Sequence, residues 1–246
     1  MSHPFLKEPS LSEHYVSESF PDANYTAPWH PVSKQVTNWI IDHTEPVTYN
    51  FNSHGFREVE WDNNLLNNSI WCFGDSQTAG VGNHKEQTWV YHLELKTGVK
   101  TLNMGIAGSS NDTAARTLVS ALQHAKPKAI CWLLAAPNRR EIIRTEGRLT
   151  MWPMMLKFID LAPGKKLFRQ YMDSVDAIGD RVNYDKNLML VKSICESHAI
   201  PLFTADFTVP VMPLIKTNPA LDNEHLGAEL QKQIADFFAP TVKEVL

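Results

Sequence analysis

Short strand-like runs alternate with segments of helical periodicity from residue 69 to the C-terminus, and this alternation limits the folds that the chain can adopt. The strand-like runs are residues 69–73, 100–103, 129–134 and 201–204. The helical segments are residues 88–97, 112–124, 185–198 and 227–238. Strands that are apolar along their whole length and separated by helices are typical of a parallel sheet with helices on both faces. The pattern therefore predicts an α/β fold in which ligands bind at the carboxyl ends of the strands.

The 246 residues are predicted to form one domain, residues 66–246, preceded by an N-terminal extension, residues 1–65. The extension is rich in Pro, Ser, His, Asn and aromatic residues and has few periodic apolar positions. We expect it to be irregular and to pack on the core or on a partner, so it is also a candidate surface for oligomerisation. Within it, residues 51–57 are typical of a turn with Gly55 at a special backbone position. The block 141–182 is predicted to be a helical insertion near the site, or a lid.

The composition excludes several classes of partner. The net charge is −4 and no cluster of Lys and Arg is present, so nucleic acid is not an expected partner. No apolar run approaches the roughly 18 residues of a membrane span, and the N-terminus lacks the basic start and apolar stretch of a secretory signal. Cys72, Cys131 and Cys195 have no C-x-x-C spacing and are expected to be buried free thiols. We expect a cytoplasmic protein that needs no metal and no cofactor.

Residues 74–80, with the sequence GDSQTAG, contain the strongest candidate for a catalytic side chain. They follow the first apolar run and precede a helical segment, so Ser76 lies at a tight, glycine-flanked junction between a strand and a helix. Nucleophilic serines of hydrolases are presented at such junctions. The same residues also form ordinary capping turns, since Asp and Ser are good N-cap residues. Asp75 is expected to be structural and to accept hydrogen bonds from nearby backbone N–H groups.

A serine hydroxyl needs a neighbouring base, and the sequence provides one near its C-terminal end. His225 is the proposed base, because an unperturbed histidine has a pKa of about 6.5 and exchanges a proton at neutral pH. Asp222, three residues earlier, is the proposed carboxylate that orients the imidazole and stabilises its charged form. The predicted triad therefore follows the chain order Ser76, Asp222, His225.

Acyl transfer also requires donors for the negative charge that develops on the carbonyl oxygen. Three candidates follow three of the predicted strands: the backbone N–H of Ser76, the backbone N–H of Gly108 and the side-chain amide of Asn138. Because parallel strands end at one edge of a sheet, these groups are predicted to point toward the same place.

These motifs resemble the conserved blocks of the SGNH (GDSL-type) hydrolases. Residues 74–80 are similar to the first block, residues 103–108 (NMGIAG) to the second, Asn138 to the asparagine of the third, and residues 222–225 (DNEH) to the last. The resemblance runs from about residue 66 to the C-terminus. It implies a flavodoxin-like parallel sheet in a three-layer α/β/α sandwich and the hydrolysis of acyl esters. It also implies that Ser76, Gly108 and Asn138 form the oxyanion hole.

The chain departs from the family pattern at two positions. The third block usually reads Gly-x-Asn-Asp, whereas here residues 136–139 read APNR, and Gln77 stands where leucine is usual. Arg139, in place of the second acid, has two interpretations: it contacts an anionic or sugar substrate, or it forms a salt bridge within a surface turn. Residues 52–57 also resemble a segment that precedes the serine block in some members.

The function predicted from the sequence is that of a serine ester hydrolase acting on a short acyl ester, with a carbohydrate O-acetyl group as one such substrate. Two alternatives stay open. The acyl-enzyme would make an O-acyltransferase if a sugar hydroxyl replaced water as the acceptor. A carbohydrate-binding or assembly protein would keep the fold without turnover.

Overall fold

The computed structural model describes residues 24–27, 47–144, 147–151, 169–171, 173–206, 216–221 and 225–246. The strands in these ranges are β1 (Asn24–Ala27), β2 (Val47–Asn50), β3 (Ile70–Gly74), β4 (Thr101–Gly105), β5 (Ala129–Leu134), β6 (Arg140–Arg144), β7 (Gly147–Met151) and β8 (Leu202–Asp206). The α-helices are α1 (Asn63–Asn67), α2 (Ser76–Ala79), α3 (Trp89–Thr97), α4 (Asn111–Ala121), α5 (Ala177–Ser197) and α6 (Ala228–Lys243).

Strands β4, β3, β5 and β8 form, in this order, a sheet in which every neighbouring pair is parallel. The chain passes from β3 to β4 on one side of β3 and then returns to β5 on its other side. This order confirms the predicted flavodoxin-like sheet. The order therefore reverses at β3, and open α/β sheets bind ligands at the carboxyl ends of the strands beside such a reversal.

Both faces of the sheet are covered, because successive residues of each buried strand point to opposite sides. Trp71 and Phe73 lie in a core cluster with residues of α4 and α5, whereas Ile70 and Cys72 lie in a second cluster with residues of α3 and α6. Full burial of an apolar side chain of this kind contributes roughly 1.5–3 kcal/mol. The three-layer α/β/α sandwich predicted from the sequence is confirmed.

Polar caps determine where three of the helices begin. The side chains of Thr88, Ser110 and Asp176 each accept a hydrogen bond from a backbone N–H in the first turn of α3, α4 and α5. Helix α5 begins at Ala177, eight residues before the predicted start at residue 185. Residues 177–182 lie in the block predicted to be a helical insertion. They were not assigned to this helix because Ile178 and Val182 are exposed, so these turns show no buried apolar face.

Within the predicted extension, β1 and β2 pair in the antiparallel direction. The turn that follows β2 is confirmed: Gly55 has φ +82°, and Asn52 Oδ1 accepts hydrogen bonds from the N–H groups of His54 and Phe56. Phe56 is fully buried in the cluster between the sheet and α4–α5. Residues 1–23 and 28–46 lie outside the described residues, and the division of the chain at residue 65 stays a prediction.

The start of the predicted helical insertion is a β-hairpin, since β6 and β7 pair in the antiparallel direction. Ile142 and Ile143 are β-branched and Gly147 stands at the turn, and these residue types favour a hairpin over a helix. Helical structure returns at residues 169–171 and at α5. Residues 152–168 lie outside the described ranges, and the lid stays a prediction.

Three cysteines are buried as free thiols, as the sequence predicts. Burial raises the pKa of the Cys72 thiol well above its usual range, with the neighbouring Cys131 adding to the effect. Burial also raises the pKa of the Cys195 thiol to about 11. Such thiols are unreactive at neutral pH.

Candidate active site

Strand β3 leads directly into the turn that carries Ser76. Asp75 caps α2, and its Oδ1 accepts a hydrogen bond of 2.9 Å from the N–H of Gln77, as expected of a structural carboxylate. Ser76 is the first residue of α2 and is 6% exposed. The predicted nucleophile therefore lies at the carboxyl end of the central strand, where the sheet order changes direction.

The serine turn, residues 74–83, is in close contact with β4. A Cβ atom added to Gly105 would lie 2.5 Å from the backbone N of Ala79 and 2.7 Å from Cβ of Thr78, so only glycine fits there. Asn103 donates a hydrogen bond of 2.8 Å from its side-chain amide to the carbonyl oxygen of Thr78. Asn103 and Gly105 of the second motif thus hold the serine turn against the sheet.

A buried arginine holds the C-terminal half of the serine turn. The Arg57 guanidinium donates hydrogen bonds to the carbonyl oxygens of Ala79, Gly80 and Asn83, and it stacks over the ring of Tyr49 at 4.4 Å. Burial lowers the pKa of Arg57 below its usual value, but an arginine side chain stays charged in proteins. Arg57, the last residue of the segment 52–57, therefore acts as a brace for the serine turn, a role that the sequence alone did not assign.

The loop after β4 contains the second predicted oxyanion donor. Gly108 has φ +70°, which is a left-handed conformation that favours glycine. Ser109 follows, and its hydroxyl donates a hydrogen bond of 3.3 Å to the carbonyl oxygen of Gly74. The Gly108 loop is therefore bound to the last residue of β3, directly before Asp75 and Ser76.

The loop after β5 contains the third predicted donor, Asn138, in a half-buried turn. Asn111, the first residue of α4, exchanges two hydrogen bonds with the backbone of Ala135 and so joins this loop to the Gly108 side. Arg139 donates from Nη1 to Asp75 Oδ2 at 2.7 Å and to the carbonyl oxygen of Ser109 at 3.2 Å. The salt-bridge interpretation of Arg139 is confirmed, although its partner belongs to the serine motif itself.

The segment that carries His225 is hydrogen-bonded to the serine turn. The N–H of Leu226 donates to Gln77 Oε1 at 3.0 Å, and the Asn83 side-chain amide donates to the carbonyl oxygen of Leu226 at 2.9 Å. Gln231 of α6 donates from its side chain to the carbonyl oxygen of Gln77. The residue after the predicted base is thus bound to the residue after the predicted nucleophile.

A second set of hydrogen bonds holds residues 220 and 221 beside His225 and the serine turn. The N–H of Leu221 donates to the carbonyl oxygen of Gly82, and the N–H of Ala220 donates to the carbonyl oxygen of His225 at 2.8 Å. The imidazole-bearing residue is half-buried. Asp222 lies outside the described residues, so its predicted role as the orienting carboxylate is unchanged.

The sequence motifs placed the candidate residues at the ends of the strands. They did not reveal the side chains that hydrogen-bond the serine turn to the segment carrying His225. Gln77 was noted only because leucine is usual at this position, and Asn83 was not singled out. Both are hydrogen-bonded to a residue about 145 positions away in the chain, Leu226. The one available signal was the departure from the family pattern at Gln77.

Within the ranges that the structure describes, no helix combines the length and apolar character needed to cross a bilayer. The same ranges contain no group of three or more His, Cys, Asp or Glu side chains arranged to hold a metal ion.

Comparison with known proteins gives structural neighbours only. No family model matches the chain, and neither does any curated protein. The chain is similar to TesA, with 14% identity, a TM-score of 0.47, and coverage of 72% of this chain and 99% of TesA. It is also similar to the psychrotrophic esterase EstA from Pseudoalteromonas sp., with 18% identity, a TM-score of 0.40, and coverage of 72% of this chain and 98% of EstA.

A third neighbour comes from Desulfitobacterium hafniense and is provisionally described as a lipolytic protein of the G-D-S-L family. It has 13% identity and a TM-score of 0.34, with coverage of 73% of this chain and 100% of the neighbour. This is the family that the sequence motifs resemble. At these identities and TM-scores the likeness carries no argument about activity, which must be made from the residues of the chain itself.

Proposed function

We propose that this protein is a serine ester hydrolase with Ser76 as the nucleophile and His225 as the base. The observation that carries the proposal is the pair of hydrogen bonds from Leu226 to Gln77 and from Asn83 to Leu226. Each residue of the proposed pair is adjacent in the chain to a residue of this contact. A simple capping turn after β3 would not need a histidine-bearing segment fixed beside it.

The proposed reaction proceeds in two halves. His225 takes the proton of the Ser76 hydroxyl while the oxygen attacks the ester carbonyl carbon, and the carbonyl π electrons move onto its oxygen. The N–H groups of Ser76 and Gly108 and the amide of Asn138 donate to that oxyanion. The tetrahedral intermediate collapses to an acyl-enzyme, and the alcohol leaves with the proton from His225. Water then attacks the acyl-enzyme by the same sequence and releases the acid, with Asp222 orienting the imidazole throughout.

The proposed substrate is a short acyl ester, with an O-acetyl group on a carbohydrate as the specific candidate. Asn138, half-buried in the loop after β5, is polar and suits a hydroxyl-rich alcohol better than a lipid chain. The sequence likewise has no long apolar tract that would suit a lipid.

Covalent labelling tests the proposal before any natural substrate is known. A fluorophosphonate probe should label the wild-type protein at the peptide that contains Ser76, and the protein should hydrolyse p-nitrophenyl acetate. Ser76→Ala should lose both signals and keep its melting temperature nearly unchanged. Ser197→Ala, at the end of α5, is the matched control and should retain both. Labelling at another serine, or wild-type turnover by Ser76→Ala, would refute the assignment.

A further inference from the structure

Arg139 links the loops after three different strands, because it belongs to one of these loops and its guanidinium contacts the other two. It belongs to the loop after β5, and its Nη1 donates to Asp75 after β3 and to the carbonyl oxygen of Ser109 after β4. The side chains of Arg139 and Asp75 are 14% and 10% exposed, so the ion pair is largely removed from water. These are the three loops that carry Ser76, Gly108 and Asn138.

We propose that Arg139 is a positioning residue for the proposed esterase reaction: its guanidinium holds the three oxyanion-donor loops in one arrangement. The inference rests on the proposed function of Ser76. Backbone hydrogen bonds of the sheet fix the strands only as far as their ends, so the distances between the loops depend on contacts beyond the sheet. Oxyanion donors act through preorganised geometry, and a displacement of about 1 Å is enough to cost about 100-fold in rate.

Charge gives Arg139 a second effect on the same reaction. The Asp75 carboxylate immediately precedes Ser76, so it lies near the place where the transition state gains a negative charge. Two negative charges close together in a partly buried site repel each other more strongly than they do in water. Arg139, at 2.7 Å from Asp75, offsets the carboxylate charge. The positive charge at position 139 is therefore expected to help catalysis, in addition to the geometry of the guanidinium.

Neighbouring ion pairs supply a matched comparison. Arg140 is the next residue and forms a salt bridge of 3.0 Å with Asp180, and these two side chains are 17% and 15% exposed. This pair joins β6 to α5 and touches none of the three loops. Both pairs join an arginine to an aspartate and are buried to nearly the same extent. A difference in turnover between their alanine variants therefore reports the place of the ion pair in the structure.

The experiment measures kcat and KM for p-nitrophenyl acetate, and the rate of fluorophosphonate labelling, in Arg139→Ala, Arg139→Lys and Arg140→Ala. Arg139→Ala should lower kcat and the labelling rate about 10- to 100-fold with little change in KM. Arg139→Lys should recover part of the loss, because it restores the charge. Asp75→Asn combined with Arg139→Ala should also be faster than Arg139→Ala alone. Arg140→Ala should stay within about twofold of the wild type, while thermal stability falls by a similar amount in both alanine variants.

Each contrary outcome has a distinct meaning. A wild-type kcat in Arg139→Ala, or an equal loss in Arg140→Ala, would overturn the positioning role. A raised KM with unchanged kcat would mean that Arg139 binds substrate, and this would overturn it as well. If Arg139→Ala fails to fold, the same comparison of kcat and KM with the wild type is made for Arg139→Lys and for the double variant. An inactive, unlabelled wild type would instead refute the proposed function, and with it this inference.

Discussion

The serine turn, residues 74–83, and the described parts of the histidine segment, residues 216–221 and 225–227, are attached to the molecule in different ways. The serine turn is fixed by the buried interior: Gly105 lies against its backbone, and the Arg57 guanidinium binds three of its carbonyl oxygens. The histidine segment buries Leu226, but its main chain is hydrogen-bonded to Gln77, Asn83 and the serine turn's own backbone.

This difference predicts that the two regions affect different properties of the protein. The serine turn should affect the stability of the fold, and the histidine segment should affect the alignment of the proposed base with the proposed nucleophile. Substitutions that loosen the serine turn should destabilise the whole fold, because the contacts involved belong to the core. Substitutions that loosen the histidine segment should leave the core intact and should change only the position of the proposed base relative to the proposed nucleophile. The two regions can therefore be distinguished by measuring unfolding and turnover on the same variants.

The largest expected effect is on the stability of the serine turn. Arg57→Met removes the guanidinium that binds the carbonyl oxygens of residues 79, 80 and 83. The Gly80 oxygen still accepts from the N–H of Asn83, whereas the buried oxygens of Ala79 and Asn83 lose their guanidinium donor. We expect a loss of about 3 kcal/mol in the free energy of unfolding, measured by urea denaturation. Arg181→Met is the matched control, since Arg181 also stacks over a tyrosine ring, Tyr184 at 4.9 Å, but is exposed. It should change stability by less than about 0.5 kcal/mol; equal losses would show that Arg57 is no brace.

An intermediate effect is expected for the contact between the two regions. Gln77→Leu keeps the approximate volume of the side chain and installs the residue usual in the resembled family, but it removes the acceptor for the N–H of Leu226. We expect kcat to fall about tenfold, equivalent to about 1.4 kcal/mol in the barrier, with stability changed by about 1 kcal/mol or less.

The control for this variant is Gln87→Leu. Gln87 is also half-buried and also accepts a backbone hydrogen bond through its Oε1, from His84. Its contact is local to the 3₁₀ turn Lys85–Gln87 and does not involve the histidine segment. If Gln77→Leu and Gln87→Leu had equal turnover, the hydrogen bond between Gln77 and Leu226 would not be what aligns the histidine segment.

The smallest effect is a pH dependence of stability at the interface of α3 and α6. Burial lowers the pKa of His92, and Lys96 and Lys232 lower it further. The folded state therefore binds this proton less readily than the unfolded state, so stability is highest above the unfolded pKa of about 6.5 and declines as the pH falls below it. His92→Gln should reduce the difference between melting temperatures at pH 7.5 and pH 5.5. An unchanged difference would assign the acid sensitivity to other groups.

The fold was largely predictable because three strands of its sheet are buried on both faces. The predicted runs 69–73, 100–103 and 129–134 differ by at most two residues at either end from β3, β4 and β5, since fully buried strands are rich in apolar residues. The hairpin β6–β7 was missed for the opposite reason: its strands, REIIR and GRLTM, mix charged and apolar residues and show no continuous apolar run.

The sequence predicted which strand ends carry the residues of the candidate site. It did not predict the side-chain contacts that join the loops. Ser76, Gly108 and Asn138 follow strands, and topology alone brings their loops to one edge. Arg139 and Gln77 bind partners that are 64 and 149 positions away in the chain. Their role depends on the direction and length of one side chain in three dimensions, and no local pattern encodes such a contact.

The cysteines of the central sheet offer a practical consequence. Cys72 and Cys131 face each other in register on neighbouring parallel strands, and neither is accessible to solvent. A membrane-permeant alkylating reagent would modify them only when the layers separate, whereas local fraying of the edges would leave them protected. Counting the alkylated thiols by mass spectrometry over time would therefore measure the rate at which the core opens. The measurement works in a cell lysate as well as in purified samples and needs no engineered label.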